Sequence, residues 1–186
     1  MAEVILVTGG ARSGKSRFAE QMLEELAPQP TPALYLATAQ AFDDEMRHRI
    51  ALHRERRPLH WRTVESPLAL VEPVLPFLGE SKALLLDCVT LYLSNLLLAA
   101  DIDSLTQQSD LLELAAWQEL EKLISVCQQH QVHLILVTNE VGMGVVPPSL
   151  LGRVFSDLSG FINQRLAHKA DKVFLLTAGL PLALKG

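Results

Sequence analysis

Gly9-Gly10-Ala11-Arg12-Ser13-Gly14-Lys15-Ser16 constrains this chain more than any other stretch. It has the spacing G-x-x-x-x-G-K-[ST], with β-formers Val4 to Thr8 before it and a helix-compatible run, Arg17 to Leu26, after it. Glycines let a backbone curl until successive N–H groups point at one set of anionic oxygens, and a helix N-terminus adds its positive end. Lys15 then reaches β- and γ-phosphates, and the Ser16 hydroxyl offers a ligand to Mg²⁺. A glycine-rich turn that merely precedes Lys-Ser has no need of a strand before it and a helix after it. The stretch predicts a nucleotide phosphate loop.

The rest of the chain supplies a scaffold for such a loop. Pro28-Gln29-Pro30-Thr31-Pro32 breaks the first helix, and Ala33 to Thr38 reads as a buried strand. A helix opens near Asp43, where acidic residues suit a positive N-terminus, and ends at Arg57-Pro58. Met46, Ile50 and His53 share one face of it, so His53 is either a packed histidine or a group placed where the helix meets a ligand. His60 to Glu65 follows as extended chain, then a helix capped by Ser66-Pro67 and made irregular by Pro73 and Pro76. Ala83-Leu84-Leu85-Leu86-Asp87 is an apolar run ending in an acid, the form expected of the strand whose carboxylate holds Mg²⁺ opposite a phosphate loop.

Val89 to Ala100 reads as a buried helix, Asp101 to Ser109 as a polar loop, and Asp110 to Gln129 as an amphipathic helix with Trp117 as a core anchor. His133 to Thr138 is a further strand, and Asn139 to Pro148 is a loop at its C-terminal end, where ligands of open parallel sheets bind. Ser149 to Lys169 is a helix, Lys172 to Thr177 a last strand, and the tail is short. Five apolar strands alternating with helices predict an α/β fold, a mostly parallel sheet with helices on both faces, in a single domain over 1–186.

Composition narrows the partners. No apolar run among the 186 residues reaches the roughly 18–20 needed to span a membrane, and no basic leader precedes the first strand. Cys88 and Cys127 lie in apolar surroundings without metal-ligand spacing, as expected of reduced thiols in a cytoplasmic protein. Net charge is −5, yet Arg47, Arg49, Arg54, Arg56, Arg57 and Arg62 crowd into one short segment. On an acidic background that is a local anion site or a solvated helix face paired with Asp43, Asp44, Glu45 and Glu55, not a nucleic-acid surface. A GTPase switch needs D-x-x-G and N-K-x-D. Asp87-Cys88-Val89-Thr90 and Asn139-Glu140-Val141-Gly142 are neither. A small-molecule kinase and a non-catalytic nucleotide-binding protein both fit the phosphate loop, but a plain kinase does not explain a helix with a histidine among so many arginines.

Further motifs stand in order along nearly the whole chain. They are Gly9 to Arg17, Ala37-Thr38-Ala39-Gln40, Asp43-Asp44-Glu45-Met46, Arg49-Ile50 with His53 and Arg57-Pro58, and His60-Trp61-Arg62-Thr63. Thr138-Asn139-Glu140-Val141-Gly142-Met143-Gly144 with Pro147, and Asn163-Gln164-Arg165-Leu166-Ala167, complete the set. Together they resemble the bifunctional adenosylcobinamide kinase/adenosylcobinamide-phosphate guanylyltransferase family of cobalamin biosynthesis.

The resemblance implies a P-loop NTPase of RecA-like type. It implies phosphorylation of adenosylcobinamide with ATP or GTP, then transfer of GMP from GTP through a guanylylated histidine, giving adenosylcobinamide-GDP and pyrophosphate. The nucleophile falls on His53, which Leu52 precedes where some relatives carry a second histidine; His48 and His60 are the other nearby imidazoles. Nucleotide contacts fall on Gly9, Gly10, Ala11, Arg12, Ser13, Gly14, Lys15 and Ser16, on Thr38, Ala39 and Gln40, on Arg54, Glu55, Arg56 and Arg57, and on Glu65 and Asp87. Ser16 and Asp87 would hold Mg²⁺, and the family resemblance adds a homotrimer. A neutral imidazole, with a reference pKa of about 6.5, is a competent nucleophile at cellular pH.

Overall fold

Residues 2–41, 43–55, 57–100 and 105–186 are described by a computed structural model of the chain. Arg56 and positions 101–104 of the expected polar loop lie outside the described residues.

Strands β1 (Val4–Gly9) and β2 (Ala33–Ala37) are buried along their whole lengths. Strand β3 covers Trp61–Glu65, and β4 (Ala83–Asp87) and β5 (His133–Val137) are buried except at one end. Strands β6 (Lys172–Thr177) and β7 (Leu180–Lys185) complete a seven-stranded sheet in the order β3-β2-β4-β5-β1-β6-β7. All neighbours are parallel except β6 and β7. Unbroken apolar runs form the central strands because both faces of a parallel sheet are covered.

Alternation sorts the side chains between the two faces. Val4, Leu6, Leu34, Leu36, Leu84, Leu86, Leu134 and Leu136 pack under α3 (Val89–Ala99), α4 (Leu105–Gln129) and α5 (Leu150–Lys169). Ile5, Val7, Tyr35, Leu85, Ile135 and Val137 pack with Ala19 and Leu23 of α1 (Lys15–Leu26). Helix α2 (Asp44–Glu55) opens as expected at Asp43, whose carboxylate accepts the Met46 amide at 2.7 Å.

The register decides where the chemistry sits. Glu65, Ala37, Asp87, Val137 and Val7 fall in one row across five strands, so the phosphate loop after β1 and the acids ending β3 and β4 share one edge. One strand, β5, separates β1 from β4, an inter-strand offset of roughly 10 Å from loop to acid.

Four expectations are corrected. His60 to Glu65, expected as extended chain outside the five strands, contributes a further sheet strand, β3. The segment after Ser66 forms bends and a 3₁₀ turn over Leu75–Glu80 instead of an α-helix, since its prolines remove helical donors. Residues 105–109 belong to α4 and not to a polar loop. The short tail is β7, which pairs with β6 through a two-residue turn with positive φ at Ala178 and Gly179.

Candidate functional site

Two glycines make the phosphate loop possible. Gly9 has φ +148°, and a Cβ there would strike the Leu176 carbonyl of β6; Gly14 has φ +98° and starts α1. Neither conformation suits an L side chain. The β6–β7 turn lies over the loop, with the Gly179 amide donating to the Ser13 carbonyl at 2.9 Å. The β6–β7 turn therefore braces the loop, a role that was not legible in a tail containing Pro181. Lys15 is buried, and its ammonium donates back to the Gly10 carbonyl at 2.6 Å, so the loop holds its cation among its own backbone groups.

Asp87 ends β4 facing this loop. Its carboxylate accepts the Tyr35 hydroxyl at 2.6 Å and the Ser16 hydroxyl at 3.4 Å. Burial, and after it the Asp87 charge, push the Tyr35 phenol far above its ordinary value, so it stays a donor. A hydroxyl and a carboxylate turned toward each other form an oxygen-only donor set of the kind Mg²⁺ prefers. The residues present fit that ion.

Helix α2 forms the opposite wall. Ser16, Glu20, Tyr35, His53, Arg57 and Asp87 line one cleft of about 1450 Å³. Ligand atoms of Glu20, His53 and Asp87 all lie within 4.8 Å of one another, which gathers α1, α2 and β4 at one point. Met46 and Ile50 border the same cleft, so the shared face foreseen for α2 is the face turned to the site. His48 also borders the cleft but lies outside this cluster. His60 is turned away, 3.1 Å from the Glu24 carboxylate and 3.0 Å from Gln29.

The arginines divide between the two readings. Arg47 pairs with Asp44 at 3.0 Å, a largely exposed helix-face contact, while also bordering the main cleft. Arg54 pairs with Glu65, a bond that raises the arginine's pKa, and Arg57 stacks 3.8 Å above the Tyr35 ring. These two and Glu65 line both the main cleft and an adjoining recess of about 490 Å³.

Of the other expected nucleotide contacts, Ala11, Arg12, Ser13, Gly14, Ala39 and Glu55 border the cleft. Thr38 is fully buried. Its hydroxyl donates to the Cys88 carbonyl at 2.7 Å and accepts the Cys88 amide at 2.9 Å, while its own carbonyl accepts from Asn95 at 2.8 Å. It is a brace of the cleft floor. The Thr138-Asn139 motif serves similarly: Thr138 donates to Asn163 at 2.7 Å, and Asn163 donates to the Asn139 carbonyl at 3.0 Å.

Sequence reasoning missed Glu20 and Tyr35. Glu20 stands one helical turn after Ser16, a spacing the chain shows, whereas Tyr35 meets Asp87 only through the β2–β4 register.

The family profile described as cobinamide kinase / cobinamide phosphate guanyltransferase matches residues 5–184. The chain belongs to that family. Its relatives include two proteins named bifunctional adenosylcobalamin biosynthesis protein CobU. The one from Salmonella typhimurium is 46% identical over 98% of this chain and 99% of its own length. The one from Escherichia coli is 44% identical over the same shares. The CobP protein of the same description from Pseudomonas aeruginosa is 44% identical over 97% of this chain and 96% of its own length. Family membership and the P-loop sheet thus agree with the resemblance carried by the motifs.

Proposed function

We infer that the protein phosphorylates adenosylcobinamide with ATP or GTP, then transfers GMP from GTP through a guanylylated His53 to give adenosylcobinamide-GDP and pyrophosphate. The observation that supports this reading is the convergence of His53 with the phosphate-loop helix and Asp87 in one cleft. A cleft of about 1450 Å³ exceeds the roughly 300–1,000 Å³ of ordinary small-molecule sites, as room for a nucleotide and part of a corrinoid would require.

The residues divide the work. Backbone amides of Gly10 to Ser16 receive the β- and γ-phosphates, with Lys15 compensating their charge. Ser16 and Asp87 would hold Mg²⁺, which when bound neutralises phosphate oxygens. In the first reaction the aminopropanol hydroxyl takes the γ-phosphoryl group. In the second, the His53 lone pair attacks the α-phosphorus of GTP and pyrophosphate leaves, and Arg54 and Arg57, which line the same cleft, would offset the charge that develops on it.

Two further features belong to the proposal. Strand β7 is an edge whose Leu180, Leu182 and Leu184 are 72%, 58% and 58% exposed, which favours a homo-oligomer, the trimer that the resemblance implies. Buried thiols at Cys88 and Cys127, and the lack among the described residues of a helix long and apolar enough to cross a membrane, favour the cytoplasm. The test is incubation of the purified chain with adenosylcobinamide, ATP, GTP and Mg²⁺. Adenosylcobinamide-GDP and stoichiometric pyrophosphate are expected. Phosphorylation without pyrophosphate release would reduce the protein to a kinase, and nucleotide binding without turnover would remove catalysis.

A further inference from the structure

Glu20 leaves α1 one turn beyond Ser16, so the helix that carries the phosphate loop also directs a carboxylate into the cleft. Within 4.8 Å this carboxylate meets both His53 from α2 and Asp87 from β4. His53 thus has two carboxylates within 4.8 Å, and both oxygens of Asp87 already accept hydrogen bonds. Asp87 accepts from Tyr35 on one oxygen and from Ser16 on the other. Glu20 is the second carboxylate within reach of the imidazole, and it comes from a different element than Asp87.

We propose that Glu20 is a positioning residue for His53 in the guanylyl half-reaction, accepting the N–H of the ring nitrogen that does not attack. This rests on the reading of His53 as the nucleophile. An imidazole attacks through one lone pair, so its other nitrogen must carry the proton, and a carboxylate hydrogen-bonded there fixes both tautomer and ring orientation.

The chemistry balances without a further reactant. The lone pair of the attacking nitrogen forms a bond to the α-phosphorus, the bond from that phosphorus to the bridging oxygen breaks, and its electron pair departs on pyrophosphate. The ring is left as an N-phosphorylated imidazolium whose positive charge faces the Glu20 carboxylate. When a phosphate oxygen of adenosylcobinamide phosphate attacks the same phosphorus, the N–P electron pair returns to the ring. Neutral histidine is restored with its proton where it began.

The experiment compares the full-length wild type with Glu20→Gln, Glu20→Asp and His53→Ala. Single-turnover labelling with α-labelled GTP reports guanylylation, and transfer from γ-labelled ATP to adenosylcobinamide reports phosphorylation. Glu20→Gln keeps the shape and loses the charge; it is expected to slow labelling about 10–100-fold, the usual cost of losing a group that orients a functional histidine. The loss in labelling should exceed any loss in phosphorylation by at least about tenfold, and Glu20→Asp should recover part of it. Labelling of Glu20→Gln at the wild-type rate overturns the proposal. So do equal losses in both reactions, which would place Glu20 in the shared nucleotide site, and a larger loss in phosphorylation, which would make it a base for the hydroxyl. Should thermal unfolding show that Glu20→Gln is not folded, Glu20→Asp carries the test, since its shorter reach must also slow labelling more than phosphorylation. Label retained by His53→Ala overturns the nucleophile assignment itself, separately from Glu20.

Discussion

Asp87 is held at both oxygens, by the Tyr35 phenol at 2.6 Å and the Ser16 hydroxyl at 3.4 Å. Asp87→Asn keeps an acceptor for Tyr35 and removes the charge, so its effect should fall on the metal rather than the fold. We expect the Mg²⁺ concentration for half-maximal activity to rise about tenfold or more, with little change in thermal midpoint. Unchanged Mg²⁺ dependence would make Asp87 only the end of a strand. The two thiols provide a test of a different kind. Burial pushes Cys88 up to about 12, with the Asp87 charge a further cause, and burial pushes Cys127 up to about 12, from an ordinary value of 9.0. Above that ordinary value the unfolded chain has released these protons and the folded one has not. Stability from both groups is therefore fully present below about pH 9 and is lost as pH rises through 12. Urea titrations from pH 8 to 11 should show the midpoint falling, and a flat profile would contradict the burial argument.

At the scale of elements, the ends of the strands are tied together by buried polar side chains. Asn163 of α5 links the Thr138 hydroxyl to the Asn139 carbonyl, and Asn95 of α3 reaches the Thr38 carbonyl. Asn163→Ala leaves the buried Thr138 hydroxyl without that acceptor and should cost about 1–3 kcal/mol, read as a lower urea midpoint. Four of the five strands legible in the sequence, β1, β2, β4 and β5, are buried on both faces and read as short unbroken apolar runs, and the fifth, β6, is only half-buried but apolar from Val173 to Leu176. β3 was masked by Arg62 and Glu65, which an edge strand exposes to water. β7 was masked by Pro181, which only an edge tolerates, and by an Ala-Gly turn in place of the stronger Asn-Gly signal. The phosphate loop and Asp87 could be proposed from local motifs and His53 from the resemblance, and the structure brings all three to one cleft. Glu20 and Tyr35 were not legible, because their significance depends on which residues three separate elements bring together.

At the scale of the molecule, β7 leaves a row of leucines on a sheet edge, and the turn just before it meets the phosphate loop through Gly179. Leu182→Asp places a charge in the middle of that row. If the edge meets another copy of the chain, the variant should run as a smaller species in light scattering after gel filtration; an unchanged mass would move the contact elsewhere. Helix α2 converges with the phosphate-loop helix at His53, and substitution of His53 tests that convergence most directly. Wild type incubated with α-labelled GTP should retain label after denaturation, through a bond stable to alkali and labile to acid as a phosphoramidate is. His53→Ala should lose that label while phosphorylation of adenosylcobinamide persists, and His48→Ala and His60→Ala should label normally. Label on His53→Ala would contradict the account, as would loss of label and phosphorylation together, since His53 would then be part of the fold and not the carrier of GMP.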